Sequence, residues 1–208
     1  MIFSFHQVKK QPIAVIDNIY SKEETEKIWS ELCFLNNDPT KFYDPHQTGS
    51  AFEGKENGEI EYLKQNKAIS LDQAYRDRNI SNILNLNRKL FTADITDELI
   101  SHNILFRYWW GVNADATLVS YYENSDYYLP HHDTATMTAL TWFYQEPKAF
   151  AGGNIILEDE LTIECKVNRC IIFPSIIKHE VEKISMASKD LQKNLGRYTI
   201  SQFISFQI

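Results

Sequence analysis

The chain has 208 residues and a formal net charge of −7, from 21 Lys and Arg against 28 Asp and Glu. Acidity without a Lys/Arg run argues against a phosphate-backbone binder, so no nucleic-acid partner is expected. A hydrophobic content of 43% with 7 Gly and 6 Pro argues against disorder, and the length fits a single domain over residues 1–208.

The opening stretch "MIFSFHQVKKQPIAVID" has neither the basic start nor the apolar run of a signal peptide. No segment reaches the roughly 18 apolar residues needed to span a bilayer, so no membrane partner is expected. Cys33, Cys165 and Cys170 are odd in number and cannot form a complete disulfide framework, which fits reduced thiols and a cytoplasmic protein.

Within residues 1–102, "PIAVID" predicts a strand leading into a helix. Ser21 and Glu24 have capping-box spacing, and Ile28, Trp29, Leu32 and Leu35 recur on one helical face. Residues 36–70 are rich in turn formers and charge and predict loops with one short strand. The polar segment 53–78 is long enough to cover a substrate. "NISNILNLNRKLF" predicts a second helix and "ITDELISH" a third.

From residue 103 the texture changes to β. "ILFRYWWGV", "ATLVSYY", "MTALTWFY", "NIILEDE", "LTIECKV", "CIIFPS", "HEVEKIS" and "RYTISQFISF" are eight short β-prone runs separated by turn-like stretches. The pattern predicts a closed double-sheet barrel or jelly roll over residues 103–208, so the class is mainly β with flanking helices (α+β).

Inside this region lies "YYLPHHDTAT". Side chains alternate faces along a strand, so His131 and Asp133 point one way and His132 the other. "IIKHEV" supplies His179 from another β segment. Two histidines and one carboxylate are the donor set of non-haem Fe(II) oxygenases. "GRYTISQF" sends Arg197 into an apolar strand, where its fork needs a carboxylate, with Thr199 on the same face. Gly152 and Gly153 suit a tight turn before "NIIL". Trp142 and Tyr144 share one strand face and are candidates for pocket wall or plain core.

Together, "VSYYENSDYYLPHHD", "FAGGNIIL", "IIFPSIIKHEV" and "GRYTISQF" resemble the Fe(II)- and 2-oxoglutarate-dependent oxygenases, in particular their prolyl 4-hydroxylase-like branch. "PIAVIDNIYSKEETEKIW" also looks like the strand-and-helix opening of that branch. The resemblance implies a double-stranded β-helix (jelly-roll, cupin-like) core with N-terminal helices packed on one sheet. It implies His131, Asp133 and His179 as iron ligands, Arg197 as the holder of the distal carboxylate of 2-oxoglutarate, and Tyr122 as a further cosubstrate contact. Fe(II), 2-oxoglutarate and O2 would be required, with ascorbate as a supporting reductant. The implied reaction hydroxylates a C–H bond and releases succinate and CO2. A peptidyl proline is the first substrate choice, and a free amino acid or other small molecule the second. Lys189 stands where many prolyl hydroxylases carry their anchoring lysine, but in a polar stretch that predicts a solvated side chain. A cupin-like metal-binding module without oxygenase activity is the alternative from a different class.

Overall fold

The computed structural model describes residues 1–48, 51–54 and 58–206. Two antiparallel sheets carry the fold. The larger has seven strands in the order Ile2–Val8, Gln11–Asp17, Arg169–Pro174, Met137–Phe143, Arg197–Ser205, Ala114–Tyr122, Lys67–Ser70. The smaller has five, in the order Leu161–Ile163, Ile155–Leu157, His179–Val181, Tyr127–His131, Lys64–Gln65. Neighbours in space are mostly distant in sequence, as in the double-stranded β-helix.

The large sheet is buried on both faces, which explains why its central strands read as nearly continuous apolar runs. One face packs on the helix Lys22–Asn36 through Ile16, Phe143, Ile172 and Ile200 against Ile28, Leu32 and Leu35. Trp29 of that helix sets its ring edge-on to Phe143 and Tyr198, at 5.9 and 6.0 Å. The helix begins at the expected capping box, where Ser21 Oγ accepts from Glu24 N and Glu24 accepts from Ser21 N. The other face sends Ile13, Leu140, Ile171 and Phe173 towards the small sheet, where they meet Ile155, Leu157 and Val181.

Two local expectations are corrected. "ILFRYWW" is a 3₁₀ helix at Ile104–Trp110, not a strand. The Asn103 side chain accepts from Leu105 N and starts the turn, while Phe106 and Trp109 bury one side of it. The polar region before residue 70 also holds more regular structure than one short strand. It forms the hairpin Phe52–Gly54 with Ile60–Tyr62, followed by strands Lys64–Gln65 and Lys67–Ser70. Residues 55–57 of the candidate covering segment lie outside the described residues.

The Gly-Gly turn has a definite structural task. Gly152 and Gly153 take φ of +75° and +74°, and a Cβ on Gly152 would sit 2.2 Å from the Lys183 carbonyl oxygen. Gly152→Ala is therefore expected to lower unfolding stability by about 2 kcal/mol or more in urea titrations, from backbone strain and the clash together.

Candidate active site

The HxD strand Tyr127–His131 pairs antiparallel with His179–Val181, and His131 lies directly opposite His179. Opposed residues in a ladder project to the same face, so a histidine 48 positions away in sequence arrives beside its partner (179 − 131). The two imidazole rings are 4.1 Å apart between centroids. Asp133 follows the strand end and is held by its backbone N–H donating to the Ser175 carbonyl, 3.2 Å. His131 Nε2 lies 3.7 Å from Asp133 Oδ1, and His179 Nε2 lies 3.5 Å from Asp133 Oδ2. One ligand atom from each of the three falls within 4.8 Å of the others.

The supporting shell sets these groups for a cation. His131 Nδ1 faces the Leu129 carbonyl at 2.8 Å and His179 Nδ1 the Ile177 carbonyl at 2.9 Å. Each Nδ1 must carry the proton to make that bond, which leaves both Nε2 lone pairs aimed at Asp133. Burial pushes His131 down to about 3, helped by the neighbouring His179. Burial also lowers His179, against the opposing pull of Asp133. Both rings are thus neutral near neutral pH, with Nε2 lone pairs that could bind a cation. Tyr128 stacks on His131 with centroids 3.5 Å apart, and Phe173 meets His179 edge-on at 4.9 Å.

Thr138 Oγ1 donates to Asp133 Oδ2 at 2.6 Å and is itself 2.8 Å from Ser175 Oγ. That bond fixes the carboxylate's rotation without using the oxygen nearer His131. Thr138→Ala is expected to weaken metal affinity about tenfold while leaving the ligand set intact, as calorimetric titration with Mn(II) would show. His132 follows the strand end, borders the same cavity and is not part of the triad. It is exposed, and its Nδ1 meets the Ile176 carbonyl at 2.8 Å.

Arg197 enters the same cavity from the large sheet. It is 1% exposed and lies opposite Tyr122 in the strand register. Its guanidinium stacks over the Tyr122 ring, 4.2 Å from the centroid, and one NH group donates to the Gly153 carbonyl. The left-handed Gly153 brings that carbonyl within reach, and a Cβ there would lie 3.4 Å from Arg197 Cδ. Among the described residues no carboxylate pairs with Arg197, and its Nε has no hydrogen-bond partner. Thr199 Oγ1, on the same strand face, also lacks a partner. A buried guanidinium beside an unpaired hydroxyl leaves donors that a carboxylate could satisfy. Burial raises Tyr122, so its hydroxyl remains a neutral donor. Lys189 is exposed on a 3₁₀ turn.

His131, Asp133, His179, Tyr122, Arg197 and Thr199 line one cavity of about 850 Å³, which also takes in Trp142. Tyr144 packs on Phe150 instead, with centroids 5.3 Å apart. The sequence reading passed over Tyr128, Thr138, Ser175 and Lys64, all near the triad. Only Tyr128 and Thr138 carried a signal, through their closeness in sequence to the HxD pair.

Residues 117–205 match the family model described as the 2OG-Fe(II) oxygenase superfamily. That superfamily uses Fe(II), 2-oxoglutarate and O2, and the His131–Asp133–His179 set provides the corresponding donors. No curated protein matches the sequence. Among solved structures, a prolyl-4-hydroxylase from Pseudomonas putida is similar at TM-score 0.60 and 10% identity, covering 94% of this chain and 93% of that one. The viral collagen prolyl hydroxylase of Paramecium Bursaria Chlorella virus-1, in its 2OG complex, is similar at TM-score 0.51 and 12% identity, covering 94% and 96%. The alpha-ketoglutarate-dependent epimerase SnoN from nogalamycin biosynthesis is similar at 0.57 and 11%, covering 93% and 76%. At such identities the likeness shows the fold, a double-stranded β-helix.

Proposed function

We propose, from the superfamily match and the two halves of the cavity, that this chain is an Fe(II)- and 2-oxoglutarate-dependent dioxygenase that hydroxylates a C–H bond, working as one domain over residues 1–208. The observation that carries this reading is Arg197, a buried guanidinium without a carboxylate partner in the cavity that holds two imidazoles and a carboxylate. A cupin-like binding module would have no use for that cation, whereas a dicarboxylate cosubstrate would satisfy it.

The roles of the side chains follow from their chemistry. His131 Nε2, His179 Nε2 and an Asp133 oxygen would hold the iron, and three ligands leave open positions on a six-coordinate ion. Arg197 would grip the distal carboxylate of 2-oxoglutarate through its fork, with Thr199 Oγ1 and the Tyr122 hydroxyl as further donors. Leu140, Trp142 and Val181 line the cavity with apolar surface that keeps water from the reacting centre. When bound, iron with 2-oxoglutarate and O2 supplies the oxidation, releasing succinate and CO2 as the substrate gains a hydroxyl group.

For the substrate we favour a peptidyl proline. Two structural neighbours are prolyl hydroxylases, and the cavity is bordered by Phe52 and Glu53 of an exposed hairpin that an extended chain could lie against. The three cysteines are free, which supports a reducing, cytoplasmic setting. The test is mass spectrometry of reactions containing protein, Fe(II), ascorbate and 2-oxoglutarate with proline peptides, free amino acids and small acids. Slow succinate release without substrate, accelerated by a proline peptide that gains one oxygen, is the expected outcome. Oxygen gain confined to free amino acids would remove the peptidyl assignment. Metal binding without any succinate would leave the cupin-like module.

A further inference from the structure

We propose that Lys64 anchors a second carboxylate in the cavity, one belonging to the substrate, so that this enzyme acts on a compound with an anionic group near the target C–H bond. The inference rests on the oxygenase reading and narrows its substrate class.

Lys64 opens a two-residue strand at the edge of the small sheet and lies opposite Tyr128 of the HxD strand. Its ammonium is 5.5 Å from the Tyr128 ring centroid, and that same ring stacks on His131. The segment Lys64–Ala68 alternates strictly: Lys64, Asn66 and Ala68 are buried, while Gln65 and Lys67 are exposed. The alternation turns Lys64 inwards, where it lines the cavity with the triad at only 6% exposure.

A lysine buried to that degree is normally paired. Among the described residues no carboxylate forms an ion pair with Lys64; burial disfavours its charged form, and the acid whose charge opposes that is Asp133. Asp133 is a triad member, so a cation held there neutralises the one negative charge that Lys64 feels. Lys178, also on the cavity wall, is already paired with Asp159 at 2.9 Å. Arg197 sits across the cavity on the large sheet and suits the cosubstrate. Lys64 is left as an unused cation on the triad side.

Asn66 adds a second observation. It is 4% exposed, and neither of its amide atoms has a hydrogen-bond partner. It lies where the chain crosses from Lys64–Gln65 of the small sheet to Lys67–Ser70 of the large one, close enough to Tyr122 to act on its hydroxyl. The carboxylate would sit on the Lys64 ammonium, which lines the cavity, while Asn66 lies behind the wall at Tyr122. That carboxylate could be the α-carboxylate of a free amino acid or the side chain of an acidic residue beside a peptidyl proline.

The experiment uses protein loaded with Fe(II) and 2-oxoglutarate under anaerobic conditions, where binding proceeds without turnover. Calorimetry compares each common amino acid with its amide, and acetylated, C-terminally amidated proline peptides carrying Glu beside the proline with the same peptides carrying Gln. At least one acid is expected to bind about tenfold or more tightly than its neutral partner, the size of one charge-assisted contact. Lys64→Met should shrink that ratio to about twofold or less, and Lys64→Arg, which keeps the charge, should preserve much of it. The arm in which the ratio appears identifies the source of the carboxylate. No acid-over-amide preference in the wild type, or a preference that survives Lys64→Met, overturns the proposal. So does a Lys64→Met defect confined to 2-oxoglutarate affinity, which would give the residue to the cosubstrate. Failure of the oxygenase reading looks different, because the wild type would then release no succinate from 2-oxoglutarate in air with any compound.

Discussion

Replacing His131, Asp133 or His179 by Ala is expected to abolish succinate formation and to reduce Fe(II) or Mn(II) affinity more than a hundredfold. Loss of a partner that merely orients a ligand costs about 10–100-fold in metal binding, and removing a ligand from a three-residue set costs more. The three substitutions should be nearly equivalent, because among the described residues no other donor is positioned to replace a missing one. Among the described residues this trio is the one group of three or more His, Cys, Asp or Glu side chains close enough to hold an ion. His132→Ala is the internal control. Its ring is exposed and turned to the Ile176 carbonyl, so metal affinity should change by less than about threefold. Metal titration followed calorimetrically, with succinate quantified in parallel, checks all four. A severe His132→Ala defect beside a mild His131→Ala one would reverse the assignment of faces on the HxD strand.

Arg197→Ala should have the second largest effect, and of a different kind. The half-saturating concentration of 2-oxoglutarate is expected to rise about 10- to 100-fold, since a hydrogen bond to a charged group contributes about 1.5–3 kcal/mol. Metal affinity should hold, because Arg197 stands on the large sheet and all three ligands lie on or beside the small one. Arg197→Lys should recover only part of the loss, as an ammonium cannot reproduce the fork. Lys189→Ala, at an exposed turn, should leave the 2-oxoglutarate requirement unchanged. Succinate release across a range of 2-oxoglutarate concentrations separates these cases, and a reversal of the two alanine variants would move the anchor to Lys189.

The site was legible in part from local spacing. Alternation singled out His131 and Asp133, although the strand ends at His131 and Asp133 lies just beyond it, held by its bond to the Ser175 carbonyl. The direct opposition of His131 and His179 is a register between strands, and no local pattern encodes a register across so long a connection. The first hairpin shows a different obstacle. Ile2–Val8 and Gln11–Asp17 are joined through Lys9 and Lys10, both at positive φ (46° and 67°). That turn usually advertises itself with Asn or Gly, so two lysines concealed it, and with it an edge strand. At residues 104–110 an aromatic-rich run suggested a strand, but the Asn103 cap and the burial of Phe106 and Trp109 selected a tight helix. Lys64 was hidden by composition, since its charged neighbours suggest a solvated loop and only the alternating burial shows that it turns inwards.

The apolar layer between the two sheets carries a consequence for how the protein meets a changing iron supply. Ile13, Leu140, Ile171 and Phe173 meet Ile155, Leu157 and Val181 in an apolar layer that the triad touches only at its margin, where Phe173 meets His179. In small zinc modules the ion replaces a missing core, so losing it unfolds the chain. Here the sheets enclose apolar clusters of their own, so the chain without metal is expected to stay folded. Iron scarcity would therefore silence the enzyme without committing it to aggregation or proteolysis, and restored iron would revive the existing molecules without new synthesis.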